Sequence, residues 1–416
     1  MPGPSKPGTA LQAVPGAWLQ FFPRVGPRIH DGAEHPAAIN RTIVMHGTRS
    51  RIAALDLLRA LAALAVLAHH WNWSLSAGAR SAPFYPESMA RHGGFYGTSL
   101  FFVISGFVIL RSARGATAEQ FVVNRAIRLY PAFWICCSIT WIATRDGPMG
   151  KTFVEYLFNL TMFPQVFGMP MVDGVYWTLA VEAKFYLLIA AVIAFGSLAR
   201  VELVLWAWLA SACIPAGPVV SDLLMAPYAP FFTGGCACLL IGERASAPRL
   251  MLFAGSVVAG MVVAVDQARQ IGLLFHAPPQ ALVAAAMVAG FFLLVLAIAT
   301  DRWRLRQGRL VITAGAISYP LYLLHSELGR KFHAMASGLS DWTFYATGLA
   351  GMLLIAWCVT TWVEMPARRW LVRLRDGRQG TAGRADGNRA IRVPSSPSAA
   401  AACATPARAE QDSGLP

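Results

Sequence analysis

Long apolar segments, separated by short polar and basic connections, recur along most of this chain. Ten of them have roughly the length that a helix needs to cross the hydrocarbon core of a bilayer. They lie near residues 53–73, 95–112, 129–145, 175–196, 201–217, 225–242, 249–266, 281–300, 309–329 and 343–363. The pattern therefore predicts an all-α fold, a polytopic transmembrane helical bundle of about ten spans.

The composition supports a membrane protein over a set of soluble domains. Of 416 residues, 56% are hydrophobic and only 13% are charged. The seven cysteines show neither zinc-ligand nor haem spacing, and all but Cys403 lie in apolar segments, which predicts small buried apolar residues rather than a disulfide framework.

Between the third and fourth spans, the apolar stretch from Phe153 to Phe167 predicts an interfacial or re-entrant helix.

The net charge of +14 does not indicate a nucleic-acid partner, because the arginines are spread over loops and the C-terminal tail. About 26 of the 35 Lys and Arg residues lie on the side shared by both termini, and about 7 lie on the other side. Arg59 and Lys184 lie inside spans. The positive-inside rule then places both termini in the cytoplasm.

Three regions follow from these patterns. Residues 1–50 are rich in Pro, Gly and Arg, lack a signal-peptide pattern and are predicted to be a disordered N-terminal extension, with Met45 as an alternative start. Residues 51–370 form the transmembrane domain. Residues 371–416 are predicted to be a disordered basic cytoplasmic tail.

The first span is unusual because it carries Asp56, Arg59, His69 and His70. Such groups are costly in hydrocarbon and usually face a bundle interior, where they mark a path or a site. Arg59 and His70 are eleven residues apart, so they share a helix face and lie about 16 Å apart along the axis. Asp56 can pair with Arg59 one turn away. Alternatively, these groups anchor the two helix ends at the headgroups.

Other spans carry polar side chains that need partners. Glu182 lies about 12 Å below the start of the fourth span, and the ninth span carries Ser318, Tyr319, Tyr322 and His325. In the second span, a Ser105-Gly106 pair is at least as consistent with close helix packing as with chemistry.

Arg125 and Arg128 are one helical turn apart and precede Tyr130 and Pro131, where the third span is predicted to begin at the cytoplasmic mouth. Their forked donors suit a phosphate group. Binding to lipid headgroups explains the pair equally well.

Six motifs occur in order: LDLLRALAALAVLAHH, GTSLFFVISGFVI, RAIRLYP, WTLAVEAKFY, SYPLYLLH and VEMPARRW. Together they resemble the acyltransferase 3 family of bacterial integral membrane O-acyltransferases, over about residues 50–370. Departures from the family pattern are Leu57 and Ala60, where glycines are usual, and Ser99, where an acid is common.

The resemblance implies transfer of an acyl group, usually acetyl, from cytoplasmic acyl-coenzyme A (acetyl-CoA) to a hydroxyl of an extracytoplasmic glycan or related acceptor. It also implies a multi-pass protein of the bacterial inner membrane, with no metal cofactor. The family's motif positions fall on Arg59, His70, Ser105, Gly106, Arg125, Arg128, Trp177, Glu182, Ser318, Tyr319, His325, Glu364 and Pro366.

The resemblance and the chemistry of these residues together suggest roles. His70 is the expected general base, and Glu182, His325 or Asp56 could orient it. The arginine pair would hold the phosphate-rich head of the donor, with Arg59 along the path of its arm. Ser105 and Ser318 are the candidates for an acyl relay, and direct transfer is the alternative.

Two other classes of protein fit parts of the pattern. In a proton-coupled secondary transporter, Asp56, Arg59, His70 and Glu182 would form a proton relay. The chain shows no inverted repeat, which argues against that class. In a structural lipid-binding membrane protein, the arginines would anchor headgroups.

Overall fold

The computed structural model describes residues 52–77, 94–147, 150–214, 217–275, 280–335 and 338–376, and all regular secondary structure in these ranges is helical. The all-α prediction is confirmed. The helices are α1 (Ala53–Ala77), α2 (Gly97–Ala113), α3 (Ala118–Thr144), α4 (Phe153–Asn159), α5 (Trp177–Ala194), α6 (Val201–Ala212), α7 (Pro218–Leu223), α8 (Ala229–Glu243), α9 (Ala247–Phe275), α10 (Ala281–Ala299), α11 (Arg309–Leu324), α12 (Glu327–Met335) and α13 (Asp341–Cys358). The helix of α13 continues through a π-helical turn, Val359–Glu364, to Asp376. The predicted extension 1–50 and the tail after residue 376 lie outside the described residues.

Seven helical segments in the described ranges are long and apolar enough to cross a membrane. They are Ala53–Trp71, Gly94–Ala113, Ala118–Thr144, Gly174–Ala194, Ala247–Ile271, Ala281–Ala299 and Trp342–Asp376. Three of the ten predicted spans correspond to shorter helices, α6 with 12 residues, α8 with 15 and α11 with 16. The count of ten and the placement of both termini in the cytoplasm stay predictions.

Helices α2 and α8 approach each other through glycines. A Cβ atom on Gly106 would lie 2.1 Å from the carbonyl oxygen of Phe232, and one on Gly235 would lie 2.0 Å from that of Val103. The Cys236 thiol bonds to the Gly106 carbonyl at 3.2 Å across the same contact. Gly106 therefore has a packing role, as small residues do between membrane helices.

Helix α3 begins earlier than predicted. Its N-terminus is fixed by a capping box in which Thr117 and Gln120 bond each other's backbone N–H groups. Pro131 lies inside the helix, although the sequence prediction started a span there. Arg125 and Arg128 consequently lie on α3 itself, within its first three turns. Their position at the cytoplasmic mouth stays a prediction.

The connection between α3 and α5 folds back along α3. It contains α4 and a 3₁₀ turn, Pro164–Phe167, instead of the single helix that was predicted. Indole N–H groups of Trp141 and Trp134 donate to the carbonyls of Lys151 (2.8 Å) and Leu160 (2.9 Å), and the Tyr130 hydroxyl donates to that of Thr161 (3.1 Å). The positions on α3 decrease as the connection advances, so it runs antiparallel to α3. Side-chain donors satisfy its exposed carbonyls, as irregular backbone in an apolar surrounding requires.

Asp173 joins the start of α5 to the start of α12. Its side chain is fully buried, and its two carboxyl oxygens accept bonds from the backbone N–H of Val175 (3.1 Å) and of Glu327 (3.0 Å). Burial raises the pKa of this carboxyl to about 7, against the pull of the two backbone donors. Asp173 thus ties together the segments that carry Glu182 and His325.

Replacement Gly106→Ala places a methyl group where the Phe232 carbonyl already lies, so it should force α2 and α8 apart. We expect a loss of about 1–3 kcal/mol, the usual cost of overpacking, seen as a lower midpoint of thermal unfolding in detergent. Gly351→Ala is the matched control, because a Cβ there meets no atom within 4 Å. Equal midpoints for Gly106→Ala and wild type would show that the close contact does not stabilise the bundle.

Asp173 should make stability depend on pH. An unfolded Asp has a pKa of about 3.9, and the folded-state pKa is about 7. Between these values the folded chain keeps a proton that the unfolded chain releases, so this contribution to stability is full below about pH 4 and is lost as pH rises to about 7. Asp173→Asn removes the titration. The free energy of unfolding of this variant, relative to that of wild type, should therefore increase from about pH 4 to about pH 7. Unfolding midpoints of both proteins across this range test it, and parallel profiles contradict it.

Candidate functional site

Seven of the predicted site residues line one cavity. It has a volume of about 110 Å³ and is bounded by side chains of α1, α2, α3, α5 and α11. The seven are Arg59, Ser105, Arg125, Arg128, Glu182, Ser318 and Tyr319. A volume of this size holds several waters or a slender chain and is well below that of ordinary ligand pockets.

Glu182 is satisfied by hydroxyl groups. Ser105 donates to its Oε1 at 2.5 Å, and Tyr186 donates to the same oxygen at 2.7 Å. The carboxylate that needed a partner thus has two, one on α2 and one on its own helix. Tyr186 was not among the predicted site residues, although its i+4 spacing from Glu182 was a usable signal.

The arginine pair on α3 lies over aromatic rings. The Arg128 guanidinium forms an ion pair with Glu364, and its carbon lies 5.6 Å from the centre of the Tyr319 ring. The guanidinium carbon of Arg125 lies 6.0 Å from the Phe121 ring centre. Within the described residues, the buried Nε of Arg125 has no hydrogen-bond partner. Arg125 therefore brings at least one unused donor to the wall of the cavity.

Arg59 and Asp56 interact as predicted. An Arg59 nitrogen lies 3.8 Å from an Asp56 oxygen, and Asp56 is 5% exposed. Gly315 of α11 makes room for Asp56, since a Cβ there would lie 2.5 Å from the Asp56 Cβ. Asp56 does not line the cavity, and it is about 21 Å along α1 from His70. Asp56 pairs with Arg59 and does not contact His70.

The hydroxyls of α11 bond to backbone. Ser318 donates to the Gly315 carbonyl at 2.9 Å, and Tyr319 donates to the Leu129 carbonyl at 3.3 Å. Both side chains line the cavity, but their protons are already engaged. Ser105 gives its own proton to Glu182. None of the three hydroxyls is paired with a basic nitrogen that would activate it as a nucleophile.

His70 and His325 form a pair near the C-terminal ends of α1 and α11. His70 Nδ1 lies 2.9 Å from the Val66 carbonyl and 3.2 Å from His325 Nε2, and His325 Nδ1 lies 2.6 Å from the Tyr322 carbonyl. A carbonyl only accepts, so both Nδ1 atoms carry protons and His325 Nε2 accepts from His70. In the neutral ring, His70 Nε2 is then the basic nitrogen.

The Tyr322 ring lies between the cavity and this histidine pair. Tyr322 lines the cavity, and the Tyr322 ring centre lies 5.4 Å from that of His325. Thr178 donates to the Val175 carbonyl and therefore accepts the Tyr322 hydroxyl at 2.9 Å. Neither His70 nor His325 lines this cavity, whereas Tyr322 lines it, bonds to Thr178 and contacts His325.

Comparison with known proteins agrees with the motifs. The family model described as an acyltransferase domain matches residues 52–361. No solved structure matches the chain.

Three curated relatives match part of the chain. Peptidoglycan O-acetyltransferase OatA of Listeria monocytogenes is 27% identical over 163 residues, which is 34% of this chain and 24% of the relative. Nodulation protein 10 of Rhizobium leguminosarum is 29% identical over 155 residues (32% and 41%). Putative peptidoglycan O-acetyltransferase YrhL of Bacillus subtilis is 28% identical over 159 residues (33% and 23%). The matched regions thus span between 23% and 41% of the length of these relatives.

The family match runs from the start of α1 into the π-helical turn after α13, and it includes every helix that bounds the cavity. It also takes in both histidines of the pair. The chain therefore belongs to the acyltransferase 3 family of membrane acyltransferases.

Proposed function

We propose that this protein is a membrane O-acyltransferase that moves an acyl group, acetyl in the simplest case, from cytoplasmic acyl-coenzyme A to a hydroxyl of a glycan or related acceptor on the outer side. The observation that carries the proposal is one cavity with three guanidinium groups, Arg59, Arg125 and Arg128, and a histidine pair just beyond its other end. Two relatives are named as peptidoglycan O-acetyltransferases, one of them putatively, and this favours a glycan acceptor.

The arginine end of the cavity suits the donor. Coenzyme A has a phosphate-rich head and a long thin arm that ends in the thioester. Arg125 and Arg128 supply forked donors for phosphate oxygens, and Arg59, held by Asp56, lies along the path of the arm. The narrow cavity admits an arm and excludes the nucleotide, which therefore stays at the cytoplasmic side.

Glu182 offsets part of the positive charge of the arginines in the cavity. It forms its hydrogen bonds with hydroxyls, so the guanidinium groups keep their donors for the phosphate groups. Its Oε1 accepts the Ser105 and Tyr186 hydroxyls, and this fixes the wall formed by α2 and α5. We assign it to positioning the cavity wall, since the contact to His70 comes from His325.

The histidine end suits deprotonation of the acceptor. His70 Nε2 takes the proton of the acceptor hydroxyl while the oxygen attacks the thioester carbonyl carbon. The new C–O bond forms, the C–S bond breaks, and the imidazolium returns the proton to the departing thiolate, so acylated acceptor and free coenzyme A leave. His325 holds the His70 ring in the tautomer that this step requires. Transfer is direct in this scheme, because no serine hydroxyl of the cavity is activated.

Tyr322 must move for the thioester to reach His70. Its hydroxyl bond to Thr178 and its contact with His325 place it between the two compartments of the site. A closed wall before donor binding would keep water away from the thioester, which is a known benefit of gated sites.

One assay distinguishes this proposal from the transporter and from the lipid-binding protein. Purified protein is reconstituted in vesicles, labelled acetyl-coenzyme A is supplied on one side, and an acceptor glycan is supplied on the other. Acyl transfer releases free coenzyme A and labels the glycan. Movement of a solute without release of coenzyme A would support the proton-coupled transporter, and neither result would leave a lipid-binding role.

Replacement His70→Ala should abolish transfer while the protein still inserts and folds. General-base catalysis commonly contributes about 10²–10⁴-fold to the rate, and the loss in glycan labelling should reach this range. His333→Ala on α12 is the matched control, because His333 contacts Phe344 and does not line the cavity. Full activity of a folded His70→Ala protein would refute the role of this ring.

Replacements Arg125→Ala and Arg128→Ala should each raise the KM for acyl-coenzyme A by about tenfold or more, because each removes a charge-assisted contact to phosphate. Lysine should restore binding only in part, since it lacks the fork. Arg304→Ala, which loses an exposed contact to Asp301, should leave the KM unchanged. Unaltered donor affinity in both alanine variants would exclude the arginine pair as the donor site.

A further inference from the structure

Glu364 is a buried carboxylate to which the proposed mechanism gives no part. It is 5% exposed and closes the π-helical turn Val359–Glu364 at the end of α13. Its Oε1 forms the ion pair with Arg128, on a helix more than two hundred residues earlier. Within the described chain, its Oε2 is buried without a hydrogen-bond partner. The carboxylate is therefore committed to Arg128 through one oxygen.

The π-helical turn explains how Glu364 faces α3. Backbone hydrogen bonds of the i→i+5 type widen the helix over Val359–Glu364 and change the direction of the side chains there, compared with a continuous α-helix. Thr360 donates its hydroxyl to the Ala356 carbonyl at 2.8 Å inside the same turn. Turns of this kind are rare and often occur at functional sites.

Two of the three arginines that line the cavity have carboxylate partners that lie outside it. Arg59 and Arg128 line the cavity, whereas their carboxylate partners Asp56 and Glu364 do not. Each carboxylate thus contacts its arginine from outside the cavity. An arginine has five N–H donors in a rigid fork, so a carboxylate that takes NH1 of Arg128 leaves other donors for the cavity. The Tyr319 ring fixes the plane of the same guanidinium from a second side.

We propose that Glu364 is a positioning residue for the donor, which aligns the Arg128 guanidinium so that its remaining donors meet the phosphate groups of acyl-coenzyme A. This inference rests on the proposed function, and it deepens that proposal by naming what sets the donor affinity. It also gives the Glu-x-Pro motif, Glu364 to Pro366, a physical role in the site.

Glu364→Gln tests the inference because it keeps the shape of the side chain and removes its charge. We expect the Kd for acetyl-coenzyme A, measured by titration calorimetry on the purified full-length protein, to rise about tenfold, with the KM following it and kcat changing less than about twofold. Glu364→Asp, which keeps the charge but shortens the reach to Arg128, should give an intermediate Kd. Glu202→Gln, which breaks the ion pair with Arg249 away from the cavity, should leave the Kd unchanged.

The outcomes separate this inference from the function on which it rests. A tighter Kd in Glu364→Gln would mean that Glu364 competes with the donor for Arg128, and it would overturn the proposal. A lower unfolding midpoint with an unchanged Kd and KM would assign Glu364 to folding alone and would overturn it too. If wild-type protein bound no acetyl-coenzyme A, the proposed function itself would fail.

Discussion

The cost of a charge in hydrocarbon determines how this bundle is built. An ionisable group within a membrane span needs a partner or a water-filled cavity, and the described residues meet that need in three ways. Carboxylates pair with arginines across or along helices, as Glu364 does with Arg128 and Asp56 with Arg59. Hydroxyl groups hold Glu182, which accepts from Ser105 and Tyr186. Arg59, Arg125 and Arg128 line the cavity. The site thus lies where the bundle provides partners for the ionisable side chains of its spans.

Much of this could be predicted from sequence because it depends on local spacing. The i+3 relation of Asp56 to Arg59 required only helix geometry, and the order of the six motifs indicated the family. The gathering of seven site residues at one cavity was also expected in outline, since polar groups in spans turn inward. For Gly106, the sequence left a packing role and a chemical role open. The close approach of the Phe232 carbonyl supports the packing role.

The remaining features depend on contacts between distant segments, which spacing does not encode. Pro131 suggested a helix start, yet the Thr117–Gln120 capping box begins α3 further back. The partner of His70 could not be chosen among three candidates, because the choice rests on how α11 ends beside α1. Asp173 was not noticed at all, since a single acid in a loop gives no signal until the backbone N–H groups of Val175 and Glu327 converge on it. The π-helical turn before Glu364 likewise has no simple sequence mark.

The geometry also explains why the two halves of the site are separate. A cationic cavity lowers the basicity of any imidazole placed within it, because like charge disfavours the protonated ring. In the proposed mechanism, the histidine that accepts a proton is therefore better kept apart from three guanidinium groups until the donor's phosphates have bound. Tyr322 provides that separation, and it touches both halves: its hydroxyl bonds to Thr178 at the cavity, while its carbonyl accepts from His325. A rearrangement of this one residue would change the wall of the cavity and the support of the histidine pair together. In the proposed mechanism, α11 couples donor binding to acceptor activation, because its side chains line the cavity and its C-cap is His325.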